Sequence, residues 1–352
     1  MRQSLISIFL VGLLAPTCNA WWECGHHIVA LLAYDQLTPY EQKSLLHILR
    51  CHPRFENDFN APANTPDSVR WQVGHSGYWP DVARRQNDYH RSTWHYQLGA
   101  TLTVGDANVP DDPGPLPDDA TLETQELHVC QAIELCRQVL ADRSVSKPDR
   151  ALAICWLAHC IGDLHQPCHA GSLYVGKLFP EGDRGGNGIS TVQGRSLHSL
   201  WDGLLGEKFD AADINRRMNE IKSDKNSWKA ATTAANNLDP LRWMDESREI
   251  ARKAVYTMEV LNPIEAARRS GRKKVEKITL SEDYLKTAGR ISRQRVAFAA
   301  HRLAAVWRLC LKTDAELIAQ SSREKVRVWF GPSQETGHII GCLLYTSPSP
   351  RD

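Results

Sequence analysis

No two of the ten cysteines stand in a C-x-x-C pair, which leaves neither a thiolate zinc site nor a thioredoxin-like redox motif. Charge of one sign is also lacking, with 42 Lys and Arg against 41 Asp and Glu, a net +1, and a pI near 7.6. That excludes the broad basic field by which non-specific nucleic-acid binders attract phosphate. An anionic substrate would then have to be drawn in by bound cations. Beyond residue 20 no apolar run is long enough to cross a bilayer. Strand-like alternation is scarce, no internal repeat is visible, no Pro/Gly/Ser-rich linker divides the chain, and there is no Asn-x-Ser/Thr sequon.

What is present starts with a leader. Arg2, an apolar run from Leu5 to Ala15, and small residues flanking Asn19 form the pattern of a cleaved secretory signal over residues 1–20. The mature chain then begins at Trp21, and the protein is expected to be secreted or periplasmic and not membrane-bound. Export permits disulfides among Cys24, Cys51, Cys130, Cys136, Cys155, Cys160, Cys168 and Cys310, with buried free thiols the equal alternative. Residues 21–320 read as one domain. The segment 321–352, ending in GHIIGCLLYTSPSPRD, shifts abruptly in composition and is expected to be disordered or foreign to the fold.

Periodicity points to a mostly α protein, a helical bundle with long loops. Helices are expected over Gly25 to Leu37, from Pro39 through His47, over Leu122 to Leu140, and over Arg150 to His165, the last almost wholly apolar and so central. A long pattern from Ser281 to Leu311 sets Tyr284, Leu285, Ile291, Val296, Leu303 and Val306 on an apolar stripe opposite a basic one, suited to packing across the bundle. Segments 53–70, 101–120 and 170–195 are rich in Pro, Gly, Asn and Asp and read as loops.

Two blocks carry the chemistry. HCIGDLHQPCH, His159 to His169, and SLHSLWD, Ser196 to Asp202, each hold a His and an Asp four positions apart, on one face of a helix. An isolated carboxylate in so apolar a helix would be costly to bury, and one His-x-x-x-Asp alone is a weak signal. Its recurrence after the turn-rich GDRGGNG, with His169 following a Gln-Pro turn, makes a shared metal site the better explanation, and nitrogen and oxygen donors together suit zinc. His26, Asp81 in YWPDVAR and His95 in STWHY join the set only by residue type.

Taken in order, the motifs WWECGH at 21–26, W-P-D-x-x-R at 79–84, W-H-Y at 94–96, the His159 block, G-G-N at 185–187 and L-H-S-L-W-D at 197–202 resemble those of the S1/P1 nucleases. These are zinc enzymes that prefer single strands, with a helical fold similar to zinc-dependent phospholipase C. The resemblance covers nearly all of residues 21 to 311. It implies three zinc ions. One would be held by Trp21, through its freed amine and carbonyl, with His26 and a bridging Asp163. A second would take Asp81, His95, His159 and Asp163, and the third His169, His198 and Asp202. It further implies catalytic roles for Asp81, Asp163 and Arg84, with Arg84 clamping a phosphate oxygen, Tyr96 stacking an unpaired base, and Asn187 contacting substrate.

The partners so implied are single-stranded DNA or RNA and 3'-nucleotides, cut to 5'-phosphorylated products, with a monomer the expected state. Two positions depart from the family pattern: Leu98 stands where an Asp often orients water, and Ser196 where Asn usually precedes L-H. His27, His75, His90, His128, His165 and His301 match no ligand position, and His165 is expected on another side of its helix from Asp163. The alternatives are a phospholipase C with the same cluster and a non-catalytic protein in which zinc only holds the bundle together.

Overall fold

The computed structural model describes residues 21–329. The leader read at 1–20 and residues 330–352 lie outside the described residues. The chain is mostly α-helical. α1 (Glu23–Tyr34) is buried along its whole length after Glu23. α2 (Pro39–Leu49) is opened by a reciprocal cap in which Glu41 N donates to the Thr38 hydroxyl and Thr38 N donates to the Glu41 carboxylate, with Pro39 at the first helical position. A one-turn α3 (Phe55–Asp58) precedes α4 (Ser68–Ala83), which Asp67 caps. α5 (Val129–Ala141) is followed by α6 (Lys147–Leu164), buried on every side from Arg150 to its end. A helix apolar all round belongs at the centre of its domain, and α6 packs against α1, α2, α4, α5 and the last helix.

The remaining helices are α7 (Leu197–Asp202), α8 (Ala211–Ser223), α9 (Lys225–Ala234), α10 (Pro240–Ile250), α11 (Met258–Arg269) and α12 (Glu282–Trp329). At 1.5 Å per residue α12 is about 72 Å long. It lies across α1, α2, α5, α6 and α9, with Val296, Leu303 and Val306 fully buried and Leu285 and Ile291 partly so. Its "basic stripe" is not all solvated. Arg295 and Arg302 point inward and share the Glu246 carboxylate of α10, and Arg302 also meets His165 Nε2 at 2.8 Å. The helix runs on to Trp329, into the segment read as a tail.

Several sequence expectations need correction. The Leu122 end of the expected helix is instead a series of turns, because the Leu122, Thr124 and Leu127 carbonyls accept from Arg91, Trp94 and Thr93; those carbonyls are thereby lost to a helix. The loop expected over 53–70 contains α3 and the start of α4. The loops at 101–120 and 170–195 each begin with a short strand, β1 (Ala100–Val104) and β2 (Ser172–Val175), paired in parallel from Ala100↔Ser172 to Val104↔Val175. Helices α8 to α11 had no counterpart in the sequence reading. Cys24, Cys51, Cys130, Cys136, Cys155, Cys160 and Cys310 are free thiols, all but Cys51 buried.

Two apolar cores result. The larger gathers α1, α2, α4, α5, α6 and much of α12. The smaller gathers β2, α7, α11 and the start of α12 around Trp201 and Tyr256. The histidine and aspartate motifs line the seam between them.

Candidate metal centre

Four elements of the larger core and two segments of the smaller one deliver the site. α6 presents His159 and Asp163 one turn apart. α1 brings His26, whose Nε2 lies 3.3 Å from Asp163 Oδ1, with its ring stacked on His159 at 4.1 Å. The C-terminal turn of α4 brings Asp81. A short 3-10 turn at Ser92–His95 brings His95, whose Nδ1 lies 3.2 Å from Asp163 Oδ2 and 2.7 Å from His159 Nε2. Asp81 Oδ1 lies 3.9 Å from both imidazoles. The two oxygens of Asp163 thus face different histidines, as a bridging carboxylate requires.

From the other side, a 3-10 turn at Pro167–His169 supplies His169, and α7 supplies His198 and Asp202. The β1–β2 pairing explains how His169 arrives beside His95. Ser172 N donates to Gly99 O and Gln97 N to His169 O, both at 2.9 Å, so the segments that follow the two histidines are zipped together. Three sets of possible ligands result: His26, His159 and Asp163; Asp81, His95 and His159; His169, His198 and Asp202. All nine memberships are buried.

The second layer fixes the tautomers. His159 Nδ1 donates to Gly77 O at 2.8 Å, His169 Nδ1 to His95 O at 2.6 Å, and His198 Nδ1 to Gly185 O at 2.8 Å. A carbonyl only accepts, so each Nδ1 carries the proton and each Nε2 offers a lone pair, the arrangement that outer partners impose on metal-binding imidazoles. The Nε2 atoms of His169 and His198 then face each other at 3.0 Å. Two lone pairs so close repel unless a cation lies between them. Gln166 orients Asp202 through a 2.6 Å bond to Oδ1.

Electrostatics point the same way. Burial drives the imidazoles of His26, His95 and His169 well below their ordinary range, aided by neighbouring imidazoles and Arg84. They are therefore neutral, the form that ligates. Burial lowers His159 too, but the Asp163 and Asp81 carboxylates outweigh it and the net shift is upward. Burial pushes Asp163 up to about 6, so its ionised form calls for positive charge nearby. His26 Nδ1 and Nε2, His95 Nε2, Asp81 Oδ2 and Asp163 Oδ1 are buried without hydrogen-bond partners. The donor set, nitrogen and oxygen with no thiolate, fits zinc or a similar divalent ion.

The other expected residues lie around this cluster. Trp21 is buried and its indole N–H donates to Gly162 O, next to Asp163. Arg84 Nε donates to Asp81 Oδ1 at 2.7 Å, and its buried Nη2 has no partner. Tyr96 is partly exposed, beside His128. Asn187, with Trp22, Arg195, His198 and Asp202, lines a cleft of about 620 Å³ that opens on the third ligand set. His165 turns away from Asp163 and bonds Ile161 O and Arg302. Ser196 caps α7 by accepting from Ser199 N, and Leu98 contributes its carbonyl to Tyr174.

Sequence reasoning missed the supports. The carbonyls of Gly77, His95 and Gly185 leave no side-chain signature. Asp183, whose carboxylate accepts from Leu173 N and the Tyr256 hydroxyl, holds the glycine turn in place; its position in GDRGGNG was visible but its role was not. Gln166 stood inside the His159 block and could have been found there.

The comparisons with known proteins agree with this chemistry. A family model described as S1/P1 Nuclease matches residues 21–312. Endonuclease 2 of Arabidopsis thaliana is 26% identical over 304 residues, 83% of this chain and 90% of its own length. Endonuclease 3 of the same plant is 21% identical over 246 residues, 65% of this chain and 70% of its own. Endonuclease 4 is 29% identical over 161 residues, 44% and 48% of the two chains.

Proposed function

Because the chain belongs to the S1/P1 nuclease family, we propose that it is a zinc-dependent endonuclease that cuts single-stranded DNA and RNA to 5'-phosphorylated products, with 3'-nucleotidase action at the same site. It works outside the cytoplasm, once a leader has been removed to free Trp21. The observation that carries the metal reading is the His169–His198 pair, two lone-pair nitrogens held 3.0 Å apart by carbonyls behind them. The plant endonucleases support a nuclease over the phospholipase C alternative, and the absence of thiolate donors from the three sets speaks against a purely structural zinc.

Trp21, His26 and Asp163 would hold one ion, Asp81, His95, His159 and Asp163 a second, and His169, His198 and Asp202 the third. What such ions supply is a lowered pKa for the attacking water and countercharge for the leaving oxygen. The protein's own residues do the rest. Asp81 holds Arg84 by its Nε, which leaves the buried Nη2 as a donor for a non-bridging phosphate oxygen. Trp22 and Asn187 wall the cleft beside the third set. Tyr96 offers a partly exposed ring for base stacking.

The test uses the mature protein beginning at Trp21. It is expected to hold about three zinc ions in the central sets and to release acid-soluble nucleotides from denatured DNA far faster than from native duplex. Asp163→Asn should remain folded and lose at least about 100-fold in turnover, since outer partners of a metal alone are worth about 10–100-fold. Unchanged turnover in that variant, or a metal-free protein that still cuts, overturns the reading.

A further inference from the structure

On another side of α1 from the central site stands a second group of donors that the three ligand sets do not use. Glu23 and His27 lie one turn apart on α1, and His75 faces them from α4; one ligand atom from each falls within 4.8 Å of the others. His26 and His27 are consecutive, so their side chains leave α1 about 100° apart. The first looks toward Asp163, the second toward α4. We propose that Glu23, His27 and His75 form a separate divalent-cation site, of zinc-like chemistry, that staples α1 to α4.

Both imidazoles are buried, His27 completely and His75 to within 6%, and neither ring nitrogen of either has a hydrogen-bond partner. Four buried polar atoms left unpaired in one place demand an explanation. The backbone of Asp58 stands beside His75, where the outer partner of a ligating imidazole would be. His27 Nδ1 is pressed against Gly74, where a Cβ would come within 2.4 Å of it. That leaves Nε2, 3.9 Å from Glu23 Oε1, as the donor facing the group.

The surroundings are aromatic. Trp71 stacks on His75 at 4.4 Å, Phe59 meets it edge-on at 5.3 Å, and Phe209 lies 4.9 Å from His27. A polar trio inside an apolar jacket is what a metal site looks like, and two imidazoles with one carboxylate leave a position open for water. Donors about 2.1 Å from one ion lie no more than about 4.2 Å apart, so the trio needs only a small side-chain closure. Glu23, the one member with solvent access, provides the way in. Lys208 is near its carboxylate and is the cation it would otherwise attract.

An ion here would act on the central site without touching substrate. α1 carries His26 in its first turns and follows directly on Trp21 and Trp22, and α4 carries both Asp81 and the Gly77 carbonyl that orients His159. Fixing one helix to the other fixes those donors together. This site does not depend on the nuclease reading, and the measurement keeps the two apart.

Zinc per chain is counted after equilibration with zinc and gel filtration, for the wild type, Glu23→Gln and His75→Phe. The second change keeps an aromatic ring against Trp71. Each variant is expected to hold one ion fewer than the wild type, or to bind its last ion at least about 100-fold more weakly, with an unchanged far-ultraviolet circular dichroism spectrum. With cobalt in place of zinc, the wild-type minus variant spectrum should show visible d–d absorption. Asp163→Asn should keep this ion while losing central ones. Should His75→Phe fail to fold, Glu23→Gln alone reads the site. Equal zinc content and equal affinity in the wild type and the folded variants overturn the proposal.

Discussion

Gly185→Ala tests the idea that backbone geometry sets the metal-binding tautomer of His198. Gly185 has φ +62°, and a Cβ there would lie 2.0 Å from Cys168 O and 3.3 Å from His198 Nδ1. The left-handed conformation costs an alanine about 1 kcal/mol. Relieving the 2.0 Å contact demands more than an ångström of main-chain movement, which the 2.8 Å bond from His198 Nδ1 to Gly185 O does not survive. Losing that buried bond adds about 1–3 kcal/mol, for a total near 3 kcal/mol. Gly271→Ala is the matched control. Its φ is +70° and nothing lies within 4 Å of the added Cβ, at the end of α11 where Gly271 N and Arg272 N bond back to Arg268 O and Ala267 O.

That control should lose about 1 kcal/mol and keep full metal content and turnover. Gly185→Ala should lose the larger amount in urea denaturation and bind the ion of the His169, His198 and Asp202 set about 10–100-fold more weakly, with turnover on denatured DNA falling in step. If the two variants prove alike in stability and in metal content, the carbonyl at 185 does not position His198.

Glu246→Gln is expected to destabilise the fold by about 3 kcal/mol, because Arg295 and Arg302 would stay buried without their shared carboxylate; a urea midpoint like that of the wild type would refute this. Burial pulls the His52 imidazole down to about 3, in keeping with its Nδ1 accepting from Arg54 N. A folded pKa below the unfolded 6.5 gives stability that is present above pH 6.5 and lost as pH falls toward 3, about 5 kcal/mol in full at about 1.4 kcal/mol per pH unit. His52→Leu should flatten that acid slope in denaturation curves at pH 7, 5 and 4, and parallel losses in the two proteins would rule His52 out as its source.

The parts of this molecule that announce themselves in sequence are those in which one residue type repeats at a helical interval. His159 with Asp163, and His198 with Asp202, are of that kind, as are the all-apolar α6 and the stripe of α12. β1 and β2 were invisible because each is only a few residues long and sits in a segment dominated by Gly, Asp and Pro; their pairing matters through the registers of His95 and His169, which neither strand contains. α8 to α11 carry few buried residues apiece, so their apolar signal is thin. Arg295 and Arg302 looked like solvated cations because Glu246, which brings them inside, lies far away in the chain. Glu23, His27 and His75 carry no such signal, because His75 lies far from the other two in the chain and only the packing of α4 on α1 brings it to them.

The long closing helix has a consequence for how the protein is made. α1 and α6 present apolar faces that α12 covers, and the chain from residue 35 to residue 281 separates α1 from it. At about 5–20 residues per second, roughly 10–50 s pass on the ribosome between the two. During that interval the earliest helix has no lid, and chaperones or a translocation channel would have to shield it. Chains released before residue 282 would be aggregation-prone products and not smaller enzymes.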